Sequence, residues 1–236
     1  MTELLAASSV VNVPATLGTA AIRADQVCAV VLAGGEGRRM GGVDKGLQLL
    51  DGIPLARHAL QRLQQQTLGV PRTLAINANR NQALYASWGV PVWMDAVGGF
   101  AGPLAGFHTA LAQCAATHDY LLTVPCDSPL FPLDLLARLA QALAAGHAPI
   151  AMASAPDGPQ DPTLRRQPVF CLLRTSLLPN LAQYLQEGGR KIDAWTQAQG
   201  QVEVAFNQPQ DNARAFFNAN TLAELQALHQ PPALTP

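Results

Sequence analysis

The stretch VVLAGGEGRRMGGVDKG, residues 30–46, decides how the rest of the chain is read. An unbroken aliphatic run falls directly into a loop of glycines, two arginines, an aspartate and a lysine. Glycines let a backbone approach a ligand closely and present its N–H groups, so the loop has the make-up of a phosphate cradle. Neither of the two best-known cradles fits. A dinucleotide fingerprint needs G-x-G-x-x-G, and Gly35-Glu36-Gly37-Arg38-Arg39-Met40 lacks the third glycine. A P-loop needs Lys followed by Ser or Thr, whereas Lys45 stands between Asp44 and Gly46. A nucleoside-triphosphate loop of another make remains, with Arg39 gripping phosphate oxygens in a fork and Lys45 set against a leaving pyrophosphate. The plain alternative is a charged surface loop.

Outward from that loop, buried strands alternate with amphipathic helices. Strands are expected at 26–33, 73–79, 90–95, 119–127, 148–154, 168–174 and 201–206. Helices are expected at 53–66, 102–116, 132–145 and 221–230, with helical segments at 178–188 and 189–200. The helix at 132 opens on proline and stops at Gly146, and Thr221 with Glu224 forms a capping box for the last one. This alternation defines an α/β class: three layers, Rossmann-like, with a mostly parallel twisted sheet and helices on both faces. Ligands of such sheets lie beyond the carboxyl ends of the strands. The loop at 34–46, Asn77, Asp95 and Asp127 each follow a strand, so they should meet on one edge.

Composition narrows the function classes. The 236 residues carry a net charge of −1 and no basic run, so nucleic acid is not an expected partner. No apolar run is long enough to span a bilayer. Cys28, Cys114, Cys126 and Cys171 include no CxxC pair, which argues against a zinc site or a disulfide framework and for a reducing cytoplasm. Residues 1–25 dilute their apolar positions with Ser, Thr, Asn and Pro and are expected to be a disordered extension. A single domain is expected over 26–230, followed by a tail at 231–236, and a monomer is expected.

With LAGGEGRRMGGVDKGLQLLDGIPLARH (32–58) stand NANRN (77–81), GPLAG (102–106), PCDSP (125–129), YLQEGGRK (184–191) and FFNANT (216–221). Taken in order, these blocks closely resemble the bacterial molybdenum cofactor guanylyltransferases of the nucleotidyltransferase family. That resemblance implies a nucleotidyltransferase fold with a GTP-binding N-terminal half and a pterin-binding C-terminal half. The implied reaction transfers GMP from GTP to molybdopterin carrying molybdenum, with Mg2+ as cofactor. Implied partners are GTP, Mo-molybdopterin, and molybdenum-insertion and molybdoenzyme chaperone proteins. Leu32, Ala33, Gly34, Gly35, Lys45, Asn77, Asp95 and Asp127 fall on GTP-contacting positions, and Asp127 falls on the magnesium position. Arg39, Lys45 and Asp127 are the implied catalytic residues. Arg190, Lys191, Asn218 and Asn220 are implied near the pterin.

Each residue also has an ordinary reading. Asp127, between Pro125 and Pro129, suits a cap for the helix near Pro132. Asn77, whose amide offers donor and acceptor together, and Asp95, an acceptor for a guanine edge or ribose hydroxyls, both suit turns. Asn218 and Asn220 could simply precede a helix, and Arg190 and Lys191 could be a solvated helix end. Cys126 reads as packing, and His58 as a helix-face contact without chemistry. Gly35 belongs to an LAGG where related cytidylyltransferases carry LAAG, and a bare glycine would leave room for the larger purine. The segment 154–168, SAPDGPQDPTLRRQP, is expected as a loop facing the pterin. Rival readings are a molybdopterin cytidylyltransferase, a sugar-phosphate nucleotidyltransferase and a non-catalytic nucleotide-binding regulatory module.

Overall fold

Val27–Leu32 forms β1, and all but its last residue are buried, as befits a strand covered on both faces. Its side chains alternate. Val27, Ala29 and Val31 join one core cluster, whereas Cys28 and Val30 join another on the opposite face. The computed structural model describes residues 21–35, 43–95, 102–146, 148–158, 161–219 and 224–225.

Beyond β1 the chain forms a short hairpin, β2 (Leu49–Leu50) with β3 (Ile53–Pro54), and then helix α1 (Leu55–Gln64). Next come β4 (Thr73–Asn77), the short helix α2 (Gln82–Ala86), β5 (Val92–Trp93) and α3 (Pro103–Cys114). β6 (Tyr120–Pro125), α4 (Leu135–Ala145), β7 (Ile150–Gly158) and β8 (Asp161–Arg174) come after them. Helices α5 (Leu178–Gln186) and α6 (Ile192–Gln199) lead to β9 (Gln201–Ala205). One seven-stranded sheet runs in the order β5-β4-β1-β6-β8-β7-β9. Every neighbouring pair is parallel except the two that involve β8, which runs against β6 and β7. The expected mostly parallel α/β sheet is therefore present.

The layers follow from side-chain spacing. Ala56, Ala59, Leu60 and Leu63 of α1 and Leu135, Leu136, Leu139 and Leu143 of α4 pack on one face of the sheet. Leu104, Phe107 and Leu111 of α3, Leu181 and Leu185 of α5 and Trp195 of α6 pack on the other. Each fully buried Leu or Phe contributes about 1.5–3 kcal/mol, so these two stripes carry the sandwich.

Three local expectations change, and a fourth is left largely undescribed. The segment 154–168 is not a loop: Ser154–Pro156 pairs with Leu164–Arg166 as an antiparallel ribbon, with register shifts between Met152 and Ser154 and between Pro156 and Gly158 that place the extra residues in β8. Proline and glycine there suit a ribbon because it needs no continuous ladder on its outer edges. Helix α4 starts at Leu135 rather than Pro132, and its N-terminus is capped from elsewhere: Leu136 N donates to Oε1 of the buried Gln66 at 2.8 Å. Ordered structure begins before residue 26, since Ile22 already packs in the core beside the sheet. Of the last expected helix only residues 224–225 are described, so its capping Thr221 lies outside the described residues.

Candidate active site

Strands β1, β4 and β6 end side by side, with Leu32 in register with Asn77 on one side and Pro125 on the other. The ladder runs one step further, through Ala33 N to the Asn77 carbonyl at 2.8 Å and Cys126 N to the Leu32 carbonyl at 3.1 Å. The residues just past each strand are thus held to one rim, as the topology rule requires.

Two groups form there. In the first, Lys45 Nζ donates to Asp127 Oδ2 at 3.2 Å, across 82 positions of sequence. The side chains of Lys45 and Asp127 are only 20% and 17% exposed, so water screens the pair less than it would a surface bridge. Asp127 caps no helix; its carboxylate faces the lysine. Its backbone carbonyl accepts from Ala219 N at 2.8 Å, and Ser128 Oγ donates to Asn218 Oδ1. The segment 216–219 is thereby brought to the same corner. Asn220 and Arg39 lie outside the described residues.

In the second group, the Asp95 carboxylate is held by two amides. Asn77 Nδ2 donates to Oδ1 at 2.8 Å and Asn79 Nδ2 donates to Oδ2 at 2.7 Å. Asn79 Oδ1 in turn accepts from Asp95 N at 2.9 Å. Asn77 also donates to the Trp93 carbonyl at 3.1 Å and is 2% exposed. Both of its N–H groups are therefore spent inward, and the expectation that this amide offers a donor to a base or ribose does not hold in this geometry. Its part is to fix Asp95. Gly34 lies tight against this pair: a Cβ there would come 3.1 Å from Asn77 Oδ1 and Asn79 Nδ2. Gly35 differs, since a Cβ on it would meet nothing within 4 Å among the described residues.

Sequence reasoning passes over Asn79, Asp44 and Tyr85. Asn79 and Asn81 lie inside the NANRN block, and Asp44 immediately precedes Lys45. Both stretches carry a signal, but nothing in the sequence singles out these positions within them.

The basic pair after α5 divides. Arg190 Nη1 donates to the carbonyls of Leu185 at 3.1 Å and Gly189 at 2.7 Å, so its guanidinium turns back on the helix end. Lys191 is exposed at the start of α6. The turn itself is closely built, with Gly189 against the Tyr184 ring and the Tyr184 hydroxyl donating to the Lys191 carbonyl at 3.2 Å. The α5–α6 excursion leaves from the end of β8 and returns to the start of β9, both level with Ile150 and Leu173.

All four cysteines are free and buried. Cys126 beside Asp127 has its thiol pushed well up, by burial first and then by the negative charges of Asp127 and Asp44, so it is no nucleophile. His58 Nε2 lies 2.8 Å from the Leu50 carbonyl, a structural contact. Among the described residues no cluster of three or more His, Cys, Asp or Glu could enclose a metal ion, and no helix is long and apolar enough to cross a membrane.

A mostly parallel sheet with a glycine loop, a lysine–aspartate pair and a carboxylate held by two amides at its strand ends is the architecture of a nucleotidyltransferase. The model of the MobA-like NTP transferase domain matches residues 29–204, and the chain belongs to that family. A molybdenum cofactor guanylyltransferase of Acidovorax ebreus is 58% identical over 205 residues, covering 86% of this chain and 94% of that protein. The same-named protein of Albidiferax ferrireducens is 54% identical over 214 residues, covering 90% of this chain and all of that one, 100%. Among solved structures, molybdopterin-guanine dinucleotide biosynthesis protein A from Archaeoglobus fulgidus superposes with a TM-score of 0.67 over 85% of this chain and 96% of its own. At 20% identity that likeness speaks for the fold alone.

Proposed function

We infer that this chain transfers GMP from GTP to the terminal phosphate of Mo-molybdopterin, forming molybdopterin guanine dinucleotide and pyrophosphate. The observation that carries the reading is the Lys45–Asp127 pair on the strand-end rim, 3.2 Å apart, in a chain of this family.

In the reaction an oxygen of the pterin phosphate bonds to the α-phosphorus of GTP, and the bond from that phosphorus to the bridging oxygen breaks. Pyrophosphate leaves with the electron pair. Two anions must approach, and unit charges about 4 Å apart repel by roughly 1 kcal/mol in water and several times that in a partly dry site. The nucleophile is already ionised at neutral pH, so the protein supplies charge and position rather than a base. Lys45 supplies a positive charge for the departing pyrophosphate, and Arg39 is assigned the same work. Asp95, its two oxygens fixed by Asn77 and Asn79, is a rigid acceptor suited to the N1–H and N2–H groups of guanine or to ribose hydroxyls.

The residues fit Mg2+ of the kind carried by a nucleotide. That ion binds through one or two carboxylates plus substrate phosphates rather than in an all-protein cage, and one partly buried carboxylate, Asp127, stands at the rim. When bound there, the ion would neutralise charge on the phosphate oxygens. Lys191 and Asn218 are assigned to the second substrate.

Pyrophosphate release is the test. It should require GTP, Mo-molybdopterin and Mg2+ together, and equal turnover with CTP would refute the guanine assignment in favour of a cytidylyltransferase. Stabilisation by GTP without any turnover would instead favour the regulatory module. We place the protein in the cytoplasm as a monomer that passes its product to molybdoenzyme chaperones.

A further inference from the structure

Asp44 is a carboxylate that the reaction does not use, yet it is 9% exposed and saturated with donors. Its Oδ1 accepts from Gly46 N at 3.1 Å and from the Tyr85 hydroxyl at 2.7 Å. Its Oδ2 accepts from Asn81 Nδ2 at 2.9 Å. Taking a carboxylate out of water is costly unless its lone pairs are met, so a buried acid with three partners is an anchor built at some expense.

The anchored element is the 3-10 turn Lys45–Leu47, which Asp44 caps through Gly46 N. The partners come from α2 and the residue just before it. Asn81 takes a left-handed backbone, φ 50°, on entering that helix. Tyr85 is fully buried, and its ring meets Trp88 edge-on at 5.1 Å. Gly46 packs so closely that a Cβ would fall 2.4 Å from the Tyr85 hydroxyl and 3.2 Å from Ala56 Cβ. Lys45 is therefore gripped on both sides: the residue before it through its side chain, the residue after it through its N–H and its bare Cα.

We propose that Asp44 and Tyr85 are positioning residues for Lys45, a buried clamp that holds the lysine's backbone where its ammonium reaches the Asp127 carboxylate. Burial, then the hydrogen bond to Asp44, pushes the Tyr85 hydroxyl far up, so it stays a donor throughout the working pH range. The clamp rests on the functional reading above only for what Lys45 does in turnover; the placement of Lys45 can be measured without it.

The chain contains two lysines, Lys45 and Lys191, which makes the measurement clean. Competitive acylation of the full chain with a small anhydride, followed by peptide mass spectrometry, gives the rate at each, with exposed Lys191 as internal standard. Tyr85→Phe should raise the Lys45 rate about tenfold, in line with the loss of one buried charge-assisted hydrogen bond, and leave Lys191 unchanged. An unchanged Lys45 rate overturns the proposal. So does a parallel rise at both lysines, which is general loosening. If Tyr85→Phe does not fold, Asn81→Gly, which keeps the left-handed backbone accessible, carries the same measurement. In turnover, Tyr85→Phe should lower the rate about tenfold in the parent and not further in a Lys45→Ala background, because residues acting through one another are not additive. The same factor in both backgrounds would show that Tyr85 acts elsewhere. A parent that labels as expected but does not use GTP would fault the functional reading and leave the clamp standing.

Discussion

Two segments close on the Asp127 corner, and they are held there in opposite ways. Lys45 arrives on a polar mounting, in which a buried carboxylate, a phenol and an amide converge. Asn218 arrives on an aromatic one. Phe170 meets Phe216 at 4.9 Å, Phe216 meets Phe206 at 5.1 Å, and Arg138 lies 3.8 Å over the Phe206 ring. The same Arg138 pairs with Asp211 at 2.7 Å and donates to the Ala205 carbonyl. The segment after β9 is thus stapled to the sheet by area, and its tip carries Asn218. The two mountings meet, because Ala219 packs with Leu50 and Leu55 next to the turn that bears Lys45.

The difference teaches where precision and where stability come from. Hydrogen bonds are directional and short-ranged, so a polar mounting sets one position closely but adds little net stability. Aromatic burial adds several kcal/mol but tolerates small shifts. Loss of a group on the Lys45 side should therefore appear in rate, and loss on the Asn218 side in stability.

The largest expected effect tests the point where the two meet. Asp127→Asn should cut pyrophosphate release by at least about a hundredfold, the scale of removing one charge-stabilising group from a site, while cooperative unfolding persists. Turnover near the parental rate would show that the charge lies elsewhere. Next, Phe206→Ala should lose about 3–5 kcal/mol in urea unfolding, with turnover per folded molecule close to the parent. A rate collapse with little loss of stability would invert the comparison. Arg138→Met drops both the guanidinium over the Phe206 ring and the Asp211 pair. It should cost roughly 1–3 kcal/mol, again in stability rather than rate.

Much of this arrangement is legible in the chain, and the illegible part has a common cause. β1, β4, β6 and the edge where they end follow from aliphatic runs broken by Gly, Asn and Asp, and that order alone predicts that Lys45 and Asp127 share a rim. Asp44 cannot be read the same way. Its meaning depends on Tyr85, 41 positions away on a helix of five residues too short to register in periodicity. Asn77 is legible as a rim residue but not as a buried one, because a lone amide says nothing about which way its N–H groups point. The β7–β8 ribbon is hidden by its prolines and glycines. These are loop-forming residues, and only the partner strand keeps them extended.

The smallest effect is also the sharpest probe of the Asn218 side, because it removes one polar link from an otherwise aromatic mounting. Ser128 Oγ donates to Asn218 Oδ1, but the backbone bond from Ala219 N to the Asp127 carbonyl, 2.8 Å, lies beside it and does not depend on it. Ser128→Ala should therefore leave the segment in place and lose only the aim of one amide. About 1 kcal/mol or less is at stake, which is about a fivefold change, expected in the KM for the pterin with the KM for GTP unmoved. If GTP binding weakens instead, Asn218 serves the nucleotide side of the corner. If both KM values hold and stability falls by several kcal/mol, then the Ser128 link, rather than the phenylalanine cluster, bears the weight of the segment.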